Sequence, residues 1–191
     1  MTLPEIAAVF AVLLLAMVIG YVVLASYNAV VSLRQRIDKA WSNIGVVLKQ
    51  RHDQLPNLVA AVRGLMAYER DVLTRVTQAR AAYSPNAPIP NQAATSEATT
   101  AAVRSLFAVV ERYPDIKSAA NVQDLQDEIE RLEGMIADRR ELYNDQVYRY
   151  NTRIAQFPGV LLAPIFGWRT REFFAADPAD ALPPDTDLRT A

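Results

Sequence analysis

The chain has 191 residues, no cysteine, 20 lysines and arginines against 21 acidic residues, and a formal net charge of -1. These values exclude disulfides and thiolate metal sites, and neither a basic excess nor a basic stretch marks a nucleic-acid binder. Six glycines, beside plentiful Ala, Leu, Val, Glu and Arg, favour helices. The first element is an uncharged run, Ile6 to Ala25. Twenty helical residues rise about 30 Å, roughly the hydrocarbon thickness of a bilayer. No lysine or arginine precedes the run, and it is longer than a usual signal core, so residues 1–26 are expected to be an uncleaved membrane anchor. Arg34, Arg36 and Lys39 follow it, which predicts an outside N-terminus and a cytoplasmic soluble domain.

From Ile37 to Tyr83 a seam advances by alternating steps of four and three: Ile37, Trp41, Ile44, Leu48, Arg51, Leu55, Leu58, Val62, Leu65, Glu69, Val72, Val76, Ala79 and Tyr83. Only Arg51 and Glu69 break its apolar character, a strong helix-packing signal. Pro56 interrupts it. Either the helix kinks there, or it ends near Gln54 and a second helix begins at Pro56 with Asp53 as its cap. Three prolines within Ser84–Gln92 predict a loop over 84–96, and the small polar residues to Thr100 extend it as a mobile lead-in. A further helix is expected over 97–112, ended by Tyr113-Pro114-Asp115. A last one, capped by Asn121, is expected over 121–156 and closed by Phe157-Pro158-Gly159.

No period-2 run appears, so the soluble part is expected to be all-α, an antiparallel bundle over 27–157. The apolar segment VLLAPIFGW is too short to span a membrane. It reads as a cap over the open end of the bundle within residues 158–174, with shallow membrane contact as the alternative. The acidic, proline-rich tail 175–191 is expected to be disordered.

A set of short motifs stands in order behind the anchor. They are Tyr27-Asn28, Trp41-Ser42-Asn43, Leu48-Lys49-Gln50-Arg51, Leu55-Pro56-Asn57-Leu58 and Glu111-Arg112-Tyr113-Pro114. Arg139 or Arg140 then precedes Tyr143-Asn144, and Tyr150-Asn151 and Phe157-Pro158 follow. Together they resemble the LemA family of bacterial membrane proteins. The resemblance implies a four-helix up-and-down bundle behind one membrane helix in the cell (inner) membrane, and it favours a turn near Pro56. Gly45 departs from the acidic residue expected there. The family has no established enzymatic activity, and its members are linked with envelope function, membrane organisation and, for some relatives, membrane-bound organelles.

The chemistry-bearing residues give no catalytic set. His52 is the lone histidine, without a nucleophile pattern, and reads as a surface or capping residue. Arg51 and Glu69 require partners or solvent in the seam. Each is expected to pair with the last helix, Glu69 with Arg139 or Arg140. Glu128, Glu130, Glu133, Asp138 and Glu141 read as a solvated face, because no histidine accompanies them to complete a di-metal motif. Tyr143, Tyr148, Tyr150, Asn144 and Asn151 cluster, with the two asparagines seven apart. They read as buried aromatics with amides satisfying helix-end polar groups, or alternatively as a protein-contact face. No cofactor, metal site or catalytic residue is expected. The expected role is a non-enzymatic scaffold, tied to the lipid bilayer through residues 6–25, that self-associates as a homo-oligomer or recruits membrane or envelope proteins. An accessory subunit of a membrane enzyme such as a protease, and a ligand-sensing stalk, are the alternatives.

Overall fold

The computed structural model describes residues 3–63 and 69–175, and these are all-α. Six helices follow one another: α1 Leu3–Arg63, α2 Arg70–Ala81, α3 Ile89–Val110, α4 Pro114–Lys117, α5 Ala120–Ala155 and α6 Gly159–Phe166. The expected set of four soluble helices is therefore not what is found among the described residues. The tail from residue 176 lies outside them. By internal packing the chain divides into two compact units. The first is the chain to Lys39 together with Asp145–Arg171, and the second is Ala40–Asn144 together with the chain from Glu172.

Helix α1 is one element of 61 residues that contains both the apolar run and the first seam segment. Its N-terminal part is long and apolar enough to cross a membrane, and its large side chains from Leu3 to Tyr21 are exposed. The turn favoured near Pro56 does not occur: the helix runs through Pro56 to Arg63. The proline lacks the N–H that would bond the His52 carbonyl, at a cost of about 3 kcal/mol or more. Leu55, Leu58, Val59 and Val62 around it are all buried. Each is worth about 1.5–3 kcal/mol on burial, so keeping the seam in phase outweighs the proline penalty. Asp53 accordingly lies inside the helix and caps nothing; its carboxylate takes an ion pair from Lys49, four residues back.

The loop expected over 84–96 is half helix. Pro88 stands at the N-cap of α3 and Pro90 in its first turn, where a missing N–H has no helical partner to lose. The Gln92 side chain donates to the carbonyls of Pro85 and Ala87, which holds the short turn. Ala93, Ser96 and Thr99 are buried, so the small residues serve close helix packing and not a mobile lead-in. Helices α2 and α3 pack on each other. The core of the second unit is aliphatic, built from Leu55, Leu58, Val62, Val72, Val76, Val103, Leu106, Val110, Val122 and Ile129 with their neighbours. Asn121 is not the cap of α5, which already begins at Ala120.

In the first unit, α5 gives way to α6 through Phe157-Pro158, a cis bond, and Gly159. A methyl group on Gly159 would lie 2.2 Å from the Arg153 carbonyl oxygen, so only glycine permits this approach. Gly167 ends α6 with φ 65°, the left-handed conformation that favours glycine.

Candidate functional site

Two constructions account for the polar residues that the sequence singled out. The first lies in the second unit, around Arg51, whose side chain is 4% exposed. Seam spacing places Arg51 on the buried face of α1 between Leu48 and Leu55. One terminal nitrogen donates to Glu133 Oε1 at 2.7 Å and to Thr100 Oγ1 at 3.0 Å. The other donates to Ser96 Oγ at 2.9 Å and to the Ser96 carbonyl at 3.4 Å. The Thr100 hydroxyl in turn donates to Glu133 Oε2 at 2.7 Å. Four acceptors thus meet the four terminal N–H bonds of the guanidinium. The charge is committed to joining α1, α3 and α5 and is not left to hold a ligand. This corrects the reading of Glu133 as part of a solvated acidic face. The signal that could have found it is its place one residue beyond Leu132 and four beyond Ile129, both fully buried.

The second construction is a repeated tyrosine–asparagine pair on α5. In the second unit, Tyr143 donates its hydroxyl to the Glu172 carbonyl at 2.9 Å. Asn144 accepts the Phe174 N–H at 2.8 Å and donates to the Phe174 carbonyl at 3.4 Å. In the first unit, Tyr150 donates to the Arg169 carbonyl at 2.9 Å. Asn151 accepts the Arg171 N–H at 2.9 Å and donates to its carbonyl at 3.0 Å. Each pair follows one rule: the tyrosine takes a carbonyl, and the asparagine takes both backbone groups two residues further on. Along the sequence the pairs recur seven residues apart on α5, and their backbone partners three residues apart. The amides therefore satisfy the tail backbone and not helix-end groups. Trp41 packs beside the second unit's pair, with ring centroids 5.6 Å from Tyr143 and 5.9 Å from Phe174.

Glu69 does not meet Arg139 or Arg140. Its Oε1 accepts from Tyr113 at 3.2 Å and from Arg112 at 3.3 Å, while Arg140 pairs with Glu97 at 3.0 Å. The reason is that Glu69 stands at the start of α2, where the Glu111-Arg112-Tyr113 end of α3 reaches it. Arg139 is half-buried on α5, and Asn28 is exposed on α1. Asn57 donates to Gln54 Oε1, three residues back. The His52 ring is tilted 37° against Tyr83, with centroids 5.0 Å apart, and its Nδ1 lies 3.3 Å from Asp53. Burial pushes the Tyr83 hydroxyl above its ordinary pKa, and the Lys49 hydrogen bond holds Asp53 below the usual carboxylate range, aided by His52. The Tyr27 ring is tilted 59° against Phe166, with centroids 5.2 Å apart, and lies 6.2 Å from Trp168. The acceptors Ser96 and Thr100 and the tail 169–174 were not among the residues the sequence singled out. An open groove of about 710 Å³ runs over the first construction, lined by Ser96, Thr100, Glu133, Arg140, Asn144 and Phe174 among others.

Among known proteins, the chain is similar to two magnetosome proteins of Paramagnetospirillum magneticum, MamQ 1 and MamQ 2, each 38% identical over 82 residues. The magnetosome protein MamQ of Magnetospirillum gryphiswaldense is 34% identical over 82 residues. In each case the match takes in 43% of this chain and 30% of the relative, so the chain spans less than a third of the relatives' length. The family profile described as the LemA family matches residues 40–187, which contain both constructions, and the chain therefore belongs to the LemA family.

Proposed function

We propose that this protein is a non-enzymatic, membrane-anchored helical scaffold. It self-associates or recruits protein partners at the bacterial inner membrane and helps to organise or shape that membrane. The observation that carries this reading is the continuity of α1, a single helix that holds the apolar span and, further along, Arg51 and the seam. A scaffold tied to the bilayer needs its span joined to its docking segments, and both stand on one helix. The buried polar groups support the same reading, because Arg51, Glu133, Asn144 and Asn151 are spent on holding helices and tail together. Relatives named as magnetosome proteins fit a role at an organised membrane. In this arrangement the N-terminus lies outside and the remainder is cytoplasmic, as Arg34, Arg36 and Lys39 beyond the span favour.

The test is cross-linking of the full chain in its native membrane, read by mass, with protease accessibility of the C-terminus read in parallel. A ladder stopping at a defined copy number, or a defined band with a second protein, supports the scaffold. An uncross-linked monomer contradicts it, and a C-terminus cut from the outer side overturns the topology. A second reading, a ligand-sensing stalk, draws on the open groove beside Glu133 and Arg140. It requires a small molecule whose protection of the fold against heat is lost in Arg140→Gln.

A further inference from the structure

We infer that α6 is a second membrane contact, a short interfacial foot laid into lipid beside the exit of the spanning helix. The inference rests on the membrane-spanning reading of Ile6–Ala25. Val160, Leu161 and Ile165 share one face of α6 and are 49%, 60% and 73% exposed, and Phe157 just before the helix is 76% exposed. Leu162, on the opposite face, is buried. Isolated apolar side chains on a surface need no explanation, but a contiguous apolar face, here with exposed Pro164 between Val160 and Leu161, does. The depth of this face is fixed within its own unit. Tyr27 stands two residues, about 3 Å of helix, beyond the end of the apolar run. Its ring packs on Phe166, the last residue of α6, and Phe166 stacks on Trp168 at 5.2 Å. Tyrosine and tryptophan rings mark the membrane–water boundary, so α6 meets the spanning helix at headgroup level.

Charge distinguishes lipid from a second copy as the occupant. Residues 26–39 and 145–171 carry seven arginines and lysines against two aspartates, in a chain whose net charge is -1. Arg34, Arg36, Lys39, Arg153 and Arg169 are exposed. Joining two copies through α6 would bring two such basic surfaces together. Anionic headgroups would neutralise one, as basic residues flanking a buried apolar face do for interfacial helices.

The chain has no cysteine, so Leu161→Cys, Ile165→Cys, Leu13→Cys and Glu130→Cys each create a single labelling site. Each full-length variant is labelled with an environment-sensitive fluorophore and reconstituted into phosphatidylglycerol/phosphatidylcholine vesicles with bromine on the lipid chains. The inference predicts lipid quenching at 161 and 165 at least about twofold stronger than at 130, with iodide quenching reduced to match. Labels at 161 and 165 as open to iodide as the label at 130 overturn it. Labels shielded from both quenchers also overturn it, because protein then covers the face. Leu13 reports the spanning reading separately: quenching at 13 alone sinks only the foot, and no quenching at 13 sinks both.

Discussion

The two compact units differ in how they bury polar groups. In the second unit, side chain meets side chain: Arg51 is closed off by Glu133, Thr100 and Ser96 inside an aliphatic core. In the first unit, Tyr150 and Asn151 meet backbone, as Tyr143 and Asn144 do in the second; Val30, Ile37, Ile154, Leu162 and Trp168 are buried there, and large apolar side chains remain outside. The first arrangement demands particular partners and so fixes which helices pack. The second accepts any tail sequence with a free peptide group at the right place. The second unit carries the partner-specific network, both units fasten backbone of residues 169–174 through a tyrosine–asparagine pair, and the first unit also presents an apolar surface.

The largest effect should come from breaking the specific network. Arg51→Met removes one partner of a largely buried ion pair and should cost about 3 kcal/mol, measured by thermal or urea unfolding of the full chain in detergent. The double variant Arg51→Met with Glu133→Met should lose less than the single one, since no uncompensated carboxylate remains. A double variant that loses more would show the pair to be net stabilising beyond its desolvation cost. Next is Gly159→Ala in the first unit. Its new methyl overlaps the Arg153 carbonyl, and the forced shift of α6 should cost about 2 kcal/mol, with faster amide exchange confined to residues 157–168.

The backbone fastening should be weaker and local. Asn151→Ala removes two hydrogen bonds and should cost about 1–2 kcal/mol, with faster exchange at the Arg171 amide. Asn144→Ala should cost less, because its second bond is long at 3.4 Å, and should expose the Phe174 amide. The smallest effect concerns the exposed Glu128–Arg131 pair. The Arg131 hydrogen bond holds the Glu128 carboxyl below its ordinary pKa. Its contribution is therefore present above the usual carboxylate range and is lost as pH falls through the lowered value. Any stability difference between Glu128→Gln and the parent should be confined to that upper range and vanish in acid.

Local periodicity made part of this legible. The apolar run is unbroken, the seam repeats every three or four residues, and its members from Ile37 to Val62 and from Val72 to Ala79 lie on helices as that spacing requires. At Pro56 the residues leave a kinked helix and a turn both open and the resemblance favours the turn; the helix is continuous, with Leu55, Leu58 and Val62 buried around the proline. Glu133 was hidden among four other acids, and only its registry with Ile129 and Leu132 separates it from them. The seven-residue spacing of Asn144 and Asn151 was visible, but their partners were not. Those partners are the peptide groups of residues 171 and 174, and a backbone hydrogen bond leaves no trace in the identity of the residue that makes it.

The most direct test of the scaffold is the mass of the detergent-extracted full-length chain across a dilution series. A scaffold gives a defined oligomer, or a defined complex with a second protein, that persists as the chain is diluted. A monomer at every concentration, with nothing co-purifying, would contradict it.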